Sequence, residues 1–172
     1  MTQSNASQLV DFVDYYSAGT MWAQRPGAPI DPNNACGLKV AVQSSTIQDT
    51  VEIPAKSAAC VKAGKPPIDK VNFDRQDDAT NALVLGEVDA MSADSPVIGY
   101  SIKQSGGKLE AAGEIFDLAP YGWPVAKGSS LAQSLLQGLE HLIQTGQYQT
   151  ILSNWGVESG AIGAPVINGA VS

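Results

Sequence analysis

The chain has 172 residues, 44% of them hydrophobic and 16% charged, enough for one full core or two small linked lobes. Its 17 acidic residues outnumber its 10 basic ones, leaving a net charge of -7 and no long basic run, which argues against nucleic acid or an anionic membrane surface as partner. No stretch is apolar for the roughly eighteen residues a membrane helix needs, and Met1 to Val10 is polar where an export signal would be charged and then apolar.

Val10 to Tyr16 alternates partly, as a strand does, and Gly19 to Ala23 reads as a second extended piece. Arg25 to Asn34 follows as a linker, since Pro26, Pro29 and Pro32 keep it out of helix and sheet interior. Leu38 to Val42 is then a buried strand. Ser44, Ser45 and Thr46 suit the cap of a helix beginning around Ile47, which Pro54 is expected to break or kink. Past a loop at Pro66 and Pro67, Ile68 to Phe73 makes another strand. Asp77 and Asp78 open a helix, Ala79 to Leu85, with Gly86 at its C-terminal cap.

Val88 to Met91 is the next strand, and Ser95 and Pro96 start a helix that Gly106 and Gly107 stop. Leu109 to Phe116 and Tyr121 to Ala126 are two further extended pieces. Leu131, Leu135, Leu139, Leu142 and Ile143 recur at helical spacing, and Gly146 separates that helix from a shorter one, Gln147 to Trp155. From Gly37 to Leu118 the chain thus alternates strand and helix, which requires an α/β lobe with a largely parallel sheet covered by helices. The flanking segments lack enough strands for a core of their own and are expected to pack together as part of a second lobe.

The two cysteines, Cys36 and Cys60, flank one strand-helix unit, either as a bonded pair or as two buried thiols. A bond there would stabilise the fold by about 3 kcal/mol in the chain-entropy model and would persist in an oxidising compartment. No Cys-x-x-Cys spacing occurs and one histidine cannot complete a common zinc site, so no metal or cofactor is expected. His141 lies off the leucine face of its helix, as a surface residue would, which leaves serine-hydrolase chemistry without its base. Glycine-rich nucleotide loops are absent.

Two places invite a ligand. The helix beginning near Thr46 points its first N–H groups and positive dipole end at the carboxyl edge of the sheet, with the hydroxyls of Ser45 and Thr46 beside them, which would suit a carboxylate. Such a helix start is also an ordinary feature of α/β lobes. Asp94 follows the strand ending at Met91 on the same edge, and because Ser95 and Pro96 supply the next cap and first turn, its carboxylate is spare for an ammonium. The competing reading is a second capping aspartate.

Several stretches are familiar. Val10-Asp11-Phe12-Val13-Asp14-Tyr15-Tyr16-Ser17-Ala18-Gly19-Thr20, Gly37 to Gln43, Gln76 to Leu83, Ala90-Met91-Ser92-Ala93-Asp94-Ser95-Pro96-Val97, Lys103 to Leu109 and Ile151 to Val157 together resemble the polar amino acid solute-binding proteins of ABC importers. The likeness runs over nearly the whole chain, and the placement of Cys36 and Cys60 is similar to the actinobacterial branch, in which this pair is a disulfide.

The resemblance implies a periplasmic-binding-protein-like α/β clamshell: one complete lobe with a mostly parallel sheet covered by helices, and an incomplete second lobe. Residues 1–24 would be a remnant of lobe 1 and a hinge strand, 25–36 a linker, 37–124 lobe 2, and 125–172 the return hinge strand and last helices of lobe 1. Hinges would lie near Thr20 to Ala23 and Tyr121 to Val125. The implied role is non-enzymatic: an extracytoplasmic protein, membrane-anchored through a segment not in this chain, passes a small amino-acid-like solute to a membrane permease. Thr46 would meet the solute's carboxylate and Asp94 its amino group.

Two departures from the family pattern are expected to matter. The family's long opening segment, which builds most of lobe 1, is missing before Met1, as in a truncated chain, and Ala6 stands where the family has a carboxylate-clamping arginine. The chain alone is therefore expected to bind weakly and, with apolar surface exposed around Phe12 and Trp22, to self-associate. The same fold also serves cytoplasmic regulators and a few dehydratases, which stay open as alternatives; a regulator would bring a helix-turn-helix, and a dehydratase a placed acid and base.

Overall fold

A computed structural model describes residues 9–27 and 29–169. The chain divides into two compact units, one formed by residues 20–117 and the other by the residues before Thr20 together with those from Leu118 onward. Two strands carry the chain from one unit into the other: β1 (Val10–Gln24) and β5 (Glu110–Ala126). Each is one long strand where the sequence pattern predicts two short ones. Ser17 and Ala18 carry no turn signal strong enough to interrupt pairing. In β5, Gly113 (φ 72°) and Asp117 (φ 52°) adopt left-handed conformations, yet the strand continues through both.

In the unit of residues 20–117 the strand order is β3-β2-β4-β1-β5, with β2 (Lys39–Gln43), β3 (Asp69–Phe73) and β4 (Ala90–Asp94). β2 runs parallel to both β3 and β4, while β4 meets β1 antiparallel with Trp22 opposite Ser92. Side chains alternate between the faces of this sheet. Val40, Val42, Ala90 and Trp22 enter a core with Ile53, Cys60 and Ile68, and Ala41, Met91, Ala93 and Ala23 enter the opposite core with Ala79, Leu83 and Ile98. Both faces are covered, which is why β2 reads as a short apolar run and not as an alternating one. Burying each large apolar side chain here contributes about 2 kcal/mol.

Three helices cover the sheet: α1 (Ile53–Lys62), α2 (Gln76–Leu85) and α3 (Ser95–Gln104). Pro54 does not end the first of them. A π-helical turn, Gln48–Glu52, precedes α1, and the Ile53 N–H reaches back five residues to the Gln48 carbonyl. The wide turn absorbs the backbone change next to proline, which has no N–H to donate. Gly86 closes α2 at φ 82°, the left-handed cap its position predicts. Cys36 and Cys60 are joined by a disulfide with Cα atoms 5.5 Å apart, tying the entry of β2 to the last turns of α1.

The other unit holds the first half of β1, the short strand β6 (Val166–Ile167), and the helices α4 (Ser130–Gln144) and α5 (Gln147–Trp155). β6 pairs antiparallel with β1 at Val13 and Asp14, and Val13, Val125 and Ala132 form a small core there. Buried hydroxyls anchor the ends: Tyr148 donates to the Tyr15 carbonyl and Tyr16 to the Val157 carbonyl, each at 2.8 Å. Trp22 is fully buried, contrary to the expectation of exposed apolar surface around it, because the pairing of β1 with β4 sets it against α1. Exposed large apolar side chains include Leu131, Ile151 and Trp155 of α4 and α5, and others such as Leu9, Leu85 and Leu118. Among the described residues, no helix is long and apolar enough to cross a membrane.

Candidate functional site

β2, β3 and β4 run parallel, so their carboxyl ends lie on one edge of the sheet, and each passes into the start of a helix. A cavity of about 270 Å³ opens at that edge, lined by Gln43 at the end of β2, Thr46 and Gln48 at the π-helical turn, Gln76 at the start of α2, and Ser92 and Asp94 at the end of β4. Ile47 and Val97 add apolar wall. Helix N-termini gathered at the carboxyl edge of an α/β sheet leave unpaired N–H groups and positive dipole ends facing a shared crevice.

Thr46 is held from two sides. Its hydroxyl donates to the Gln43 carbonyl at 2.7 Å and accepts from the Asp49 N–H at 3.3 Å, so it caps the helix while lining the cavity. Among the described residues, the N–H groups of Ile47 and Gln48 have no hydrogen-bond partner, which leaves two backbone donors of the first turn available to an anion. Ser45 is placed differently. It sits in the left-handed region at φ 67°, is exposed, and does not line the cavity. Its N–H donates at 2.9 Å to the carboxylate of Asp49, so that donor serves the turn.

Asp49 also accepts from Lys70 and from the Asn72 amide, the latter at 2.6 Å. The Lys70 hydrogen bond first, then those from Asn72 and Ser45, lower its pKa to about 2. The loop between β2 and its helix is thereby tied to β3 by a charged cluster outside the cavity.

Asp94 ends β4 and occupies the N-cap position of α3, one residue earlier than the Ser95 cap expected. The reason is register: β4 begins at Ala90 and runs to Asp94, two to three residues beyond the strand pattern read from Val88 to Met91. Its side chain makes no capping hydrogen bond to the helix; Oδ1 accepts from the Gln48 side-chain amide at 2.9 Å, and the same amide donates to Thr20 Oγ1 at 3.2 Å. Beneath the cavity, Ser92 donates to Glu52 Oε2 at 2.6 Å. Burial is the main influence on Glu52 and raises its pKa, against the hydrogen bonds from Ser92 and Trp22.

Of the expected ligand-binding residues, Thr46 and Asp94 come together at one cavity and Ser45 does not, while Ala6 lies outside the described residues. Gln43, Gln48, Gln76 and Ser92 were not anticipated. Gln76 carries the same signal that singled out Thr46 and Asp94, a polar residue where a parallel strand hands over to a helix, but the neighbouring Asp77 and Asp78 mask it.

The sequence is 41% identical over 160 residues to an arginine-binding protein, ArgT, of Corynebacterium glutamicum, covering 92% of this chain and 53% of that protein. It is 29% identical over 151 residues to the ABC transporter glutamine-binding protein GlnH of Bacillus subtilis, covering 85% of this chain and 51% of that protein. The chain is thus similar to amino acid-binding proteins of ABC transporters. It spans about half the length of these curated relatives. Among solved structures, an ancestral cationic amino acid solute-binding protein matches with a TM-score of 0.70 and 25% identity, over 91% of this chain and 66% of that one. The fold is that of the periplasmic binding proteins, as the sequence resemblance implies. No family model matches the sequence.

Proposed function

We propose that this chain binds a polar or basic amino acid as part of an extracytoplasmic solute-binding protein that serves the membrane permease of an ABC importer, and that it performs no chemistry on the solute. One observation carries the reading: a single cavity offers unpaired helix N–H groups at Ile47 and Gln48 beside Thr46, and a carboxylate at Asp94. These are complementary to the two charged ends of an amino acid. Relatives that bind arginine and glutamine support the class of solute. The Cys36–Cys60 disulfide fits an oxidising compartment and speaks against a cytoplasmic regulator. In this reading residues 37–124 act as one lobe, β1 and β5 serve as hinge strands, and a membrane anchor lies elsewhere in the whole protein. Self-association belongs to it as well, through the exposed Leu131, Ile151 and Trp155.

The test is a titration of the purified chain with L-arginine, L-glutamine and L-glutamate, followed by backbone amide shifts in NMR. The expected result is movement of the Thr46, Ile47, Gln48 and Asp94 signals by at least one of the three, with affinity on the order of 10 mM, the strength of two or three contacts worth about 1 kcal/mol each. No response at these residues to any of the three would overturn the assignment.

A further inference from the structure

We propose that Gln48 is itself a solute-contacting residue, its side-chain carbonyl accepting a hydrogen bond from the solute's ammonium next to the Asp94 carboxylate; this rests on the amino acid reading above. Gln48 lines the cavity yet is only 2% exposed, so its polar atoms must find partners within the protein or in whatever fills the cavity. Its amide nitrogen has two hydrogens and uses both, one on Asp94 Oδ1 at 2.9 Å and one on Thr20 Oγ1 at 3.2 Å. The opposite amide orientation would set a carbonyl oxygen against the Asp94 carboxylate, two acceptors without a proton between them. The network therefore fixes which way the amide points.

That orientation leaves Oε1 without a hydrogen-bond partner among the described residues. A buried amide carbonyl is normally paired, so one without a partner in the wall of a cavity marks where a donor belongs. The adjoining carboxylate narrows the donor's chemistry. An ammonium brings three N–H groups and a positive charge: one N–H can serve Asp94 and another Gln48. A hydroxyl brings a single donor, and a carboxylate none. Gln48 adds an acceptor without adding charge, and its own N–H groups hold Asp94 in place and link it to Thr20, where β1 enters this unit.

The decisive measurement follows the Gln48 side-chain carbonyl carbon by NMR in the unaltered chain, so no variant need fold. Methylammonium chloride is expected to shift this carbon together with the Asp94 carboxyl carbon. Tetramethylammonium chloride, which has the same charge but no N–H, is expected to leave Gln48 unmoved. An unmoved Gln48 carbon in methylammonium, or an equal shift with both salts, would overturn the proposal. As a second readout, Gln48→Met should weaken L-arginine or L-glutamine binding roughly fivefold, the loss of one contact worth about 1 kcal/mol, and unchanged affinity in a folded variant would count against the contact. The two readings fail separately. Amino acid binding with a silent Gln48 carbon removes only this residue, whereas a methylammonium response without binding of any amino acid removes the amino acid assignment and leaves an ammonium site.

Discussion

The carboxylate of Glu52 accepts the indole N–H of Trp22 at 2.8 Å with one oxygen and the Ser92 hydroxyl at 2.6 Å with the other. Trp22 lies on β1 and Ser92 opposite it on β4, so one side chain from the π-helical turn clamps two neighbouring strands below the cavity. A half-buried carboxylate is costly, and here each oxygen is matched by a donor.

Removing that carboxylate should be expensive. Glu52→Ala leaves the Trp22 N–H and the Ser92 hydroxyl without their acceptor, and a loss of about 2–4 kcal/mol is expected. Glu52→Gln keeps an oxygen for the indole, and the Ser92 hydroxyl can turn to accept from the new amide, so its stability should stay within about 1 kcal/mol of the parent. Urea unfolding of the three proteins at neutral pH checks the order; equal losses in both variants would show that the hydrogen bonds are not what Glu52 contributes.

The charged cluster at Asp49 predicts a pH dependence. Its folded pKa lies at about 2, below the unfolded value near 4, so its contribution is fully present above about pH 4 and is lost as the pH falls toward 2. Glu52 acts with the opposite sign, since a raised folded pKa favours the fold as the pH falls. Comparing the parent with Asp49→Asn between pH 2 and 6 isolates the first effect. The stability gap should be widest at pH 6 and shrink toward pH 2, and a gap independent of pH would mean that Asp49 is not held as a carboxylate by its neighbours.

Reduction of the Cys36–Cys60 bond releases the loop between residues 24 apart in sequence and should cost about 3 kcal/mol in the chain-entropy model. Thermal melts with and without reductant measure it. The loss should be matched by Cys36→Ser with Cys60→Ser, and a melt insensitive to reductant would show that the bond adds nothing to the fold.

In the complete protein, Asp94→Asn is expected to weaken amino acid binding by about 1–3 kcal/mol, the range for losing one charge-assisted partner. Thr46→Ala should cost less, because the N–H groups of Ile47 and Gln48 remain. Calorimetric or NMR titration with the amino acid that binds best supplies the comparison, and an Asn variant of parental affinity would remove Asp94 from the site.

Concentration-dependent sedimentation of the chain, reduced by Trp155→Ser, is expected if the exposed Leu131, Ile151 and Trp155 mediate association. A monomer at all concentrations would retire that part of the proposal.

The alternation of strands and helices from Leu38 to Gln104 was legible in the residues, because a parallel sheet is built from local units whose caps and breakers, such as Gly86 and Pro96, act within a few positions. Thr46 and Asp94 were legible for the same reason: each stands where a strand hands over to a helix. What needed the tertiary structure was every property set by register between distant segments. That β1 and β5 are single strands follows from pairing partners far along the chain. Whether Trp22 is buried depends on which face of β1 meets α1. Gln48 and Glu52 look like ordinary polar residues of a helix, and only the approach of Thr20, Trp22, Ser92 and Asp94 from other strands gives their side chains a role. Local signals decide backbone conformation within one turn or strand, whereas the pairing of polar atoms across the sheet is decided by contacts that no short stretch of sequence contains.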